Sequence, residues 1–294
     1  MRIVVAGGTG FLGRALVGAL AAAGHDVSVL TRRARSRDDI VWTPDGASGP
    51  WAGALVGVDA VVNLAGEGIA DARWTPARKR ALVDSRRDAT ASLVEAVLGL
   101  PRPPRVFISG SGIDIYGPHG DDYVTEATPP GHDFMASMAT AWEQAAAPVA
   151  ACCPLVLLRT SMVIGRGGGA LARMLLPFKL GVGGRLGSGR QWMSWIHLDD
   201  WVALTTQLLT DPAATGPFNL TAPGPVRNEE FTRALGRALG RPTVLPVPAF
   251  ALRLALGELS DVLLTGRRAM PAKADAIGFR FRYPRIDEAL AASV

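Results

Sequence analysis

Three glycines near the start of the chain could hold a phosphate group. The segment GGTGFLG at 7–13 contains Gly7, Gly10 and Gly13 between a short apolar run and a segment with helical periodicity. Gly7 permits a tight turn, Gly10 permits close approach of the backbone to phosphate, and Gly13 lets the helix pack on a sheet. The amide groups at the start of a helix attract a pyrophosphate. In this context the spacing predicts a dinucleotide site, and a bare structural turn is the alternative.

The residues after the second predicted strand indicate which dinucleotide would bind. Sites specific for NAD place a carboxylate here, which accepts hydrogen bonds from the ribose hydroxyl groups. This chain has Thr31, Arg32 and Arg33, and no carboxylate lies between Thr31 and Asp38. Guanidinium and hydroxyl groups hold a 2′-phosphate through charge-assisted hydrogen bonds, whereas a carboxylate would repel it. The pattern therefore favours NADP, and a solvated basic loop is the alternative interpretation.

Strands that alternate with helices would position these groups. Apolar runs predict strands at 2–6, 27–31, 59–66, 105–111 and 155–165, and helices after the glycine turn, at 76–98, at 134–150 and near 201–210. This alternation predicts an α/β fold with a doubly wound parallel Rossmann sheet. The C-terminal residues have a mostly helical pattern, which predicts a smaller substrate lobe. We expect an NADP-binding domain at 1–165, to which 195–223 returns, and a substrate lobe made of 166–194 and 224–294.

Composition and length exclude several classes of protein. The chain has 294 residues, 48% of them hydrophobic, so it can bury a large core without disulfides. No apolar run of about 18 residues could cross a bilayer, and the early glycines argue against a secretory signal. Two adjacent cysteines, Cys152 and Cys153, fit a reducing compartment. The net charge of +5 accompanies no nucleic-acid-binding motif, so we expect a cytoplasmic protein without nucleic-acid or membrane partners.

Further motifs resemble those of extended short-chain dehydrogenases/reductases. Asn63-Leu64-Ala65-Gly66 follows a middle strand, and Ser109-Gly110-Ser111 ends the next strand and leads to Tyr116-Gly117. The resemblance becomes more specific downstream and spans the whole chain. The segments that look like the atypical epimerase-like branch, often labelled nucleoside-diphosphate-sugar epimerase or SulA-like, are WEQAA at 142–146, LRTSMVIGRGGGAL at 158–171, PFKLGVGGRLGSGRQWMSWIHLDD at 177–200 and GFRFRYPRIDEAL at 278–290.

The resemblance implies that the cofactor is NADP. It agrees with the interpretation of the glycine turn and of the basic residues after the second strand, and it adds residues from the next two strand ends and from the helix at 76–98. The expected cofactor-binding residues are Gly7, Thr9, Gly10, Phe11, Leu12, Gly13, Thr31, Arg32, Arg33, Asn63, Leu64, Ala65, Gly66, Arg86 and Ser109.

The catalytic pair of the wider superfamily is missing from this chain. That chemistry uses a Tyr as proton donor and a Lys four residues later, which lowers the pKa of the Tyr. The tyrosines at 116, 123 and 283 are followed at this distance by Gly120, Ala127 and Asp287. At the expected helix, the sequence DFMASMATAWEQ has Met and Ala where Tyr and Lys would align from Glu143. The resemblance implies that the whole branch lacks the pair.

Three residues at the end of the strand 105–111 are the catalytic candidates. The resemblance implies that the Ser111 hydroxyl forms a hydrogen bond with a substrate carbonyl. Tyr116 follows in a loop expected beside the nicotinamide, where it could replace the missing acid or could be a packing aromatic. Asp114 lies in the same loop, where it could act as a base or could be a solvated turn residue.

One group of residues has the types that bind metals. His197, Asp199 and Asp200 lie close together in sequence, but no further ligand lies within sequence range to complete a metal site. We expect no metal and assign these residues to the joint between the two lobes. Gln191 and Trp192 could border the substrate pocket.

Three functions agree with these observations. The first is an NADP(H)-dependent oxidoreductase or epimerase-like enzyme that acts on a small carbonyl or hydroxyl substrate. The second is a non-redox isomerase or cyclase with NADP as a structural cofactor, using Asp114, Tyr116 or Ser111. The third is an NADP(H)-responsive binding protein without catalysis. Fold analogy does not name the small-molecule substrate, and a homodimer is an open option for the oligomeric state.

Overall fold

A parallel sheet lies at the centre of the computed structural model, which describes residues 1–37 and 39–294. The strands are β1 (Arg2–Ala6), β2 (Asp26–Thr31), β3 (Asp39–Val41), β4 (Ala60–Asn63), β5 (Val106–Gly112), β6 (Tyr123–Val124), β7 (Leu155–Thr160), β8 (Met162–Ile164), β9 (Trp192–Met193), β10 (Trp195–His197), β11 (Gly216–Leu220), β12 (Val226–Arg227) and β13 (Arg268–Ala269). The α-helices are α1 (Phe11–Ala22), α2 (Pro76–Leu98), α3 (Phe134–Ala146), α4 (Gly169–Lys179), α5 (Leu198–Thr210), α6 (Asn228–Leu239), α7 (Ala249–Leu256), α8 (Leu259–Leu264), α9 (Ala272–Ala276) and α10 (Ile286–Ser293). Short 3-10 helices cover Pro50–Leu55, Ile113–Tyr116 and Ala147–Ala151.

The strand order of the central sheet is that of a Rossmann fold. The order is β3-β2-β1-β4-β5-β7-β11, and neighbouring strands are parallel. The chain runs from β1 toward one edge, crosses to β4 and then runs toward the other edge. Ligands bind at such a reversal, outside the carboxyl ends of the strands. The predicted α/β fold, with a doubly wound parallel sheet and a helical C-terminal region, is confirmed.

Helices cover both faces of the sheet because the central strands are apolar on both sides. In β1, Ile3 packs in a cluster with Leu16 of α1 and Trp201 of α5. Its neighbour Val4 packs on the opposite face with Leu93 of α2. Successive side chains of a strand point to opposite faces, so a sheet covered on both sides needs near-continuous apolar runs.

The predicted strand at 155–165 is two strands in the structure. The amide and the hydroxyl of Ser161 both donate to the carbonyl of Leu220, at 3.1 and 2.8 Å. After this residue the chain leaves the central sheet, and β8 pairs with β10 instead. Arg159, Thr160 and Ser161 separate two apolar runs here, and this polar interruption was the available sequence signal for the break.

Two other predicted elements are longer than the observed ones. The helix predicted at 134–150 ends at Ala146 and continues as a 3-10 turn, because Pro148 lacks the amide hydrogen that an α-helix needs. The strand predicted at 59–66 is only β4, since the chain turns away after Asn63.

The C-terminal region builds two further apolar clusters. Phe231 and Leu290 lie in a cluster shared by α4, α6 and α10, and Leu259 packs against Trp74 and Met135. β11 joins the central sheet, and α5 packs against α1. The division into a cofactor domain and a substrate lobe stays a prediction. Within residues 1–37 and 39–294, none of the helices combines the length and the hydropathy needed to cross a membrane.

Candidate functional site

The glycine turn between β1 and α1 leaves no room for side chains. Gly7 has a φ of +79°, and a Cβ there would lie 2.6 Å from the carbonyl carbon of Leu64. A Cβ on Gly13 would lie 2.2 Å from the carbonyl oxygen of Gly7 and 2.7 Å from the Cα of Gly8. The turn, the start of α1 and the end of β4 are therefore in direct backbone contact, which only glycine permits at these two positions.

The first turn of α1 is uncapped. Gly10 is the N-cap residue, no side chain bonds to the free amides, and the first turn contains no acidic residue. The amides of Phe11, Leu12 and Gly13 have no partner within the helix. Free amides and the helix dipole make this turn suitable for an anionic group.

Two further residues of the turn link it to its surroundings. The carbonyl of Thr9 accepts a hydrogen bond from Arg14 at 2.8 Å. The ring of Phe11 lies against the glycine-rich segment after β8, so that a Cβ on Gly168 would be 2.5 Å from the ring and one on Gly169 would be 2.9 Å from it. The segment that leads into α4 therefore borders the glycine turn.

Two arginines at the end of β2 have no carboxylate partner among the residues that the structure describes. The hydroxyl of Thr31 donates to the carbonyl of Arg33 at 3.1 Å, and the side chains of Arg32 and Arg33 are exposed and form no ion pair with any residue that the structure describes. The nearby Asp39 accepts a hydrogen bond from the backbone amide of Arg35 at 2.6 Å, which lowers the pKa of this carboxyl group. The Asp39 carboxylate therefore bonds to backbone amides of its own loop.

Asn63 shapes the turn that follows β4. This fully buried side chain donates to the Thr90 hydroxyl at 2.8 Å and accepts a hydrogen bond from the Ala65 amide at 3.1 Å. The Leu64 amide donates to the carbonyl of Ala6 at 2.8 Å. The side-chain amide of Asn63 thus links Thr90 of α2 to the backbone that lies beside the glycine turn.

Arg86 supports the next part of this loop from α2. Its guanidinium is buried, donates to the carbonyls of Leu82 and Glu67 at 2.9 Å, and lies 5.2 Å from the ring centroid of Trp142. Burial lowers the pKa of Arg86 to about 10. A Cβ on Gly66 would be 3.0 Å from its Cγ, so the glycine lets the loop lie directly on Arg86.

Ser109 and Ser111 occupy the end of β5. Ser109 is fully buried, and its hydroxyl has only a long contact of 3.4 Å with the Gly110 carbonyl. The hydroxyl of Ser111 donates to Glu143 of α3 at 2.7 Å. Glu143 is ion-paired with Arg159, so it accepts the hydroxyl proton. Ser111 consequently offers lone pairs, and not a proton, to a ligand at the strand end.

The position of Tyr116 differs from the accessible loop that we expected. Its side chain is only 1% exposed and packs in a cluster with Ala139. The hydroxyl donates to Asn219 at 2.6 Å and accepts a hydrogen bond from Arg159 at 3.0 Å. Burial raises the pKa of Tyr116. Since a hydroxyl held in this way does not reach a ligand, we omit Tyr116 from the proposed catalytic groups.

Asp114 forms an ion pair with a residue far away in sequence. Its carboxylate accepts a hydrogen bond from Arg267, whose Nε also donates to the carbonyl of Gly117 at 2.9 Å. The Asp114 side chain keeps 23% of its surface exposed, whereas that of Arg267 keeps 9%. A Cβ on Gly112 would lie 3.4 Å from Oδ2 of Asp114. The carboxylate therefore folds back over the end of β5, close to Gly112.

Apolar side chains occupy the helix positions where the superfamily has its Tyr and Lys. Met135 is buried with Trp74 and Leu259, and Ala139 is buried in a second cluster against Ile115. No proton donor is present at either position. Of the two carboxylates at the end of β5, Glu143 is ion-paired with Arg159 and more buried, so we take the more exposed Asp114 as the candidate acid or base.

The block around His197 joins α5 to the C-terminal segment. Nδ1 of His197 accepts a hydrogen bond from the Asp199 amide at 3.1 Å, and the ring lies 3.9 Å from that of Tyr283. The Asp200 carboxylate accepts hydrogen bonds from the amides of Arg282 and Tyr283 at 2.7 and 2.9 Å. These bonds assign the block to packing between segments. In the part of the chain that the structure covers, His, Cys, Asp and Glu form no cluster of three suited to a metal.

Acidification is expected to destabilise the protein through His197. Burial lowers the pKa of His197 below its usual 6.5, so below about pH 6.5 the unfolded chain binds a proton that the folded protein does not. The free energy of unfolding should therefore fall as the pH decreases from about 6.5 to the lowered pKa, by up to about 1.4 kcal/mol per pH unit. Urea unfolding at a series of pH values would measure this slope.

The matched variant for this slope is His197→Asn. Asparagine retains an acceptor for the first turn of α5 and does not titrate, and it leaves Asp199 and Asp200 in place. We expect the variant to have a flatter pH dependence over the same range. An unchanged slope would show that other groups cause the effect.

Sequence reasoning missed the buried polar network behind β5. Arg159 of β7 binds Glu143 through two hydrogen bonds of 2.8 and 2.9 Å, and it also contacts Tyr116, which reaches Asn219 of β11. These residues come from four separate segments. A charged residue in each of two apolar elements, Glu143 and Arg159, was the available signal, because such charges are rarely buried unless they are paired.

Comparisons with known proteins agree with this geometry. A model of the NAD dependent epimerase/dehydratase family matches residues 3–221, and a domain of unknown function, DUF1731, matches residues 247–293. The epimerase family protein Mb2239 of Mycobacterium bovis is 43% identical over 292 residues, which cover 98% of this chain and 96% of that protein. The crystal structure of the human epimerase family protein SDR39U1 (isoform 2) with NADPH has a TM-score of 0.93 at 36% identity, and the match covers 99% of this chain and 98% of that one.

A plant relative bears on location and on the family. The epimerase family protein SDR39U1 homolog of Arabidopsis thaliana, named chloroplastic, is 39% identical over 99% of this chain and 86% of that protein. The cytoplasmic location of the present chain stays a prediction.

The resemblance to extended short-chain dehydrogenases/reductases of the epimerase-like branch is confirmed. Since the family model covers most of the sequence and the relatives match almost all of it, the chain belongs to the NAD dependent epimerase/dehydratase family.

Proposed function

We propose that the protein binds NADP(H), with the pyrophosphate at the glycine turn. The observation that carries this proposal is the tight glycine turn, in which a Cβ on Gly7 or Gly13 would collide with neighbouring backbone, directly before the uncapped first turn of α1. The human relative that was solved with NADPH supports the choice of cofactor. The other residues proposed to hold the cofactor are Thr9, Gly10, Phe11, Leu12, Asn63, Leu64, Ala65, Gly66, Arg86 and Ser109.

We further propose that Thr31, Arg32 and Arg33 hold the 2′-phosphate. Both guanidinium groups are exposed at the end of β2, and Asp39 is bound to backbone amides. An unpaired guanidinium group binds phosphate strongly because its donors match the phosphate oxygens and no internal ion pair must first be broken.

Arg32→Ala is expected to weaken NADPH binding by about tenfold or more and to change NADH binding by less than about twofold. The removed hydrogen bonds to a charged group are worth about 1.5–3 kcal/mol, and NADH lacks the phosphate that they bind. Titration of each dinucleotide by isothermal calorimetry would measure both affinities. Arg102→Ala, at an exposed position, has the same change in net charge and should alter neither affinity. Equal losses for NADPH and NADH in Arg32→Ala would contradict the assignment.

For the reaction, we propose an oxidoreductase or epimerase-like activity on a small carbonyl or hydroxyl substrate. The observation that carries it is the Asp114 carboxylate, which Arg267 holds at the end of β5 close to Gly112. This strand end lies beside β4, at the edge of the sheet where the fold binds ligands. A bound nicotinamide would supply the hydride acceptor or donor.

Each residue then has one role. During oxidation, Asp114 accepts the proton of the substrate hydroxyl while the carbon of that group loses a hydride, so that a carbonyl forms. In the reverse direction the same carboxyl group returns the proton to the carbonyl oxygen. Ser111 orients the substrate by accepting a hydrogen bond from a second donor group of the substrate, because the hydroxyl hydrogen of Ser111 is bonded to Glu143 and the proton of the reacting hydroxyl goes to Asp114. Arg267 fixes the direction of the carboxylate through the hydrogen bond from its Nη1, while its Nε is held by the carbonyl of Gly117.

Asp114→Asn is expected to lower kcat by about a hundredfold or more, since positioned proton transfer contributes this much to a rate. The affinity for NADPH should remain within about twofold. Oxidation of NADPH with a panel of aldehydes and ketones, followed at the nicotinamide absorbance band, would measure the rate. Asp84→Asn on the surface of α2 is the matched control. Full activity of Asp114→Asn would exclude its proposed role.

One observation favours a second function. The positions of the superfamily Tyr and Lys are filled by buried Met135 and Ala139, so the usual route for a proton is closed. A non-redox isomerisation or cyclisation that uses Asp114, with NADP as a structural cofactor, would not need that route. Turnover without any change in NADPH absorbance would select this function. An NADP(H)-responsive binding protein is the remaining alternative, and a partner that binds in only one redox state would support it.

A further inference from the structure

A surface of the C-terminal region is apolar and exposed to solvent. It consists of residues 166–190, which contain α4, and residues 241–257, which contain α7, and it is named here the cationic apolar face. Its large hydrophobic side chains that are more than half exposed are Leu176 (65%), Leu180 (68%), Val182 (54%), Val244 (82%), Leu245 (57%), Phe250 (74%) and Leu254 (76%). Contiguous exposed patches of this kind mark interaction sites.

The two segments form one surface because their backbones run side by side. The Val247 amide donates to the carbonyl of Arg185 at 2.8 Å, and the Gly187 amide donates to the carbonyl of Val247 at 2.9 Å. A Cβ on Gly184 would collide with the carbonyl oxygen of Leu245. Val182 lies just before Gly184, and Val244 lies just before Leu245. The exposed side chains of these two valines therefore belong to one region.

Both helices of the face present apolar residues one turn apart. Leu176 and Leu180 lie on one side of α4, and Phe250 and Leu254 lie on one side of α7, because residues at i and i+4 are neighbours on a helix. No residue of α7 is buried. The helix is apolar in sequence apart from Arg253, and its side chains stay at least partly exposed.

The same surface carries only positive charge. Its cations are Arg166, Arg173, Lys179, Arg185, Arg190, Arg241 and Arg253, and its two segments contain no Asp or Glu. These seven charges exceed the net charge of +5 of the whole chain. Among the residues with described structure, Lys179, Arg185, Arg190, Arg241 and Arg253 have no ion-pair partner. A partner of this face should therefore be anionic.

The charge and composition of the face discriminate between partners. In a two-fold dimer the same patch meets itself, so cations would face cations, and a second copy of the chain is unfavourable. Protein interfaces are enriched in Tyr, Trp, Phe, Met and Arg; these two segments contain Phe, Met and Arg but neither Tyr nor Trp, so the charge is the stronger discriminator. Protruding aliphatic and Phe side chains among Lys and Arg are typical of segments that lie in the interface of a bilayer.

We propose that the cationic apolar face binds the surface of an anionic lipid bilayer. Leu176, Leu180, Phe250 and Leu254 enter the boundary between head groups and acyl chains, and the unpaired cations contact the lipid head groups. This association is peripheral and needs no membrane-spanning helix. It departs from the sequence-based expectation of a protein without a membrane partner, which depended on the lack of a spanning segment.

Sedimentation of the full chain with vesicles tests the proposal. We expect binding to vesicles of phosphatidylcholine that contain phosphatidylglycerol, and at least tenfold weaker binding to vesicles of phosphatidylcholine alone. Phe250→Ser with Leu254→Ser should weaken binding about tenfold, because two exposed apolar groups no longer enter the interface. Lys179→Gln with Arg253→Gln should weaken it about twentyfold, at roughly fivefold per charge, and should reduce its dependence on salt.

Leu98→Ser, at an exposed position on the last turn of α2, is the matched control and should bind vesicles like the unchanged protein. Circular dichroism would verify that the variants, which alter only exposed side chains, remain folded. Absence of binding to the anionic vesicles, equal binding to both kinds of vesicle, or binding that is insensitive to the substitutions on the face would each overturn the proposal. Formation of a dimer that Phe250→Ser abolishes, without vesicle binding, would overturn it in favour of self-association.

Discussion

Gly13→Ala is expected to weaken NADPH binding by more than about a hundredfold. The added Cβ would lie 2.2 Å from the carbonyl oxygen of Gly7 and 2.9 Å from its carbonyl carbon, so the turn would have to move away from α1. The amides at the start of α1 would then lose their alignment toward the pyrophosphate. Hydrogen bonds to charged groups are worth about 1.5–3 kcal/mol each, and the loss of two of them accounts for this effect. Isothermal calorimetry with NADPH would measure it.

Gly18→Ala is the matched control for this prediction. Gly18 is an exposed residue of the same helix, and a Cβ there would have no atom within 4 Å. NADPH binding should remain unchanged, and the free energy of unfolding should rise by about 0.5–1 kcal/mol because alanine favours the helix. If Gly13→Ala bound NADPH like Gly18→Ala, the crowded turn would not be the pyrophosphate site, and the functions proposed above would lose their basis.

Arg159→Met is expected to lower the free energy of unfolding by about 3–5 kcal/mol. Arg159 is 7% exposed and its side chain forms two hydrogen bonds with Glu143 and one with the hydroxyl of Tyr116. Burial alone would lower the pKa of Arg159, but the bonds to Glu143 and Tyr116 raise it. Removal of the guanidinium leaves the Glu143 carboxylate buried without its counter-charge. An uncompensated buried charge strongly lowers the free energy of unfolding. Urea denaturation monitored by tryptophan fluorescence would measure the loss.

Arg105→Met supplies the comparison at an exposed ion pair. Arg105 contacts Asp59 at 3.3 Å, but its side chain is 76% exposed, so water screens the interaction and the loss should stay within about 1 kcal/mol. A similar small loss for Arg159→Met would mean that the pair does not stabilise the buried network. Because Glu143 also binds Ser111, Arg159→Met should change the pH profile of activity as well as stability.

The cofactor side of the site was largely predictable because its determinants are local. A tight turn beside a helix start excludes side chains wherever it occurs, so Gly7, Gly10 and Gly13 identify it within one βαβ unit. Arg32 and Arg33 follow the end of β2 directly, and their position relative to the turn is set by the parallel pairing of β1 with β2. Alternation of apolar strands and helices likewise predicted the order of elements. The strand predicted at 155–165 is interrupted at Ser161, and the helix predicted at 134–150 ends before Pro148.

The reaction side was not predictable in the same way. Tyr116 and Asp114 are two residues apart and looked equivalent in sequence, yet the first is buried against Asn219 and the second pairs with Arg267. Both partners are more than 100 residues away along the chain. Whether a side chain points into the core or toward a ligand depends on which distant strand or loop is packed against it.

By itself, the sequence determined the Rossmann fold, the family and the location of the glycine turn, because short-range sterics and apolar periodicity depend on consecutive residues. Tertiary structure decided that the Ser111 hydroxyl donates a hydrogen bond to Glu143, that Asp114 and not Tyr116 remains accessible, and that the segment after α4 lies beside the segment before α7. These outcomes depend on burial and on hydrogen bonds between segments far apart in the chain, and the energy of a polar group changes with the partners that folding brings to it.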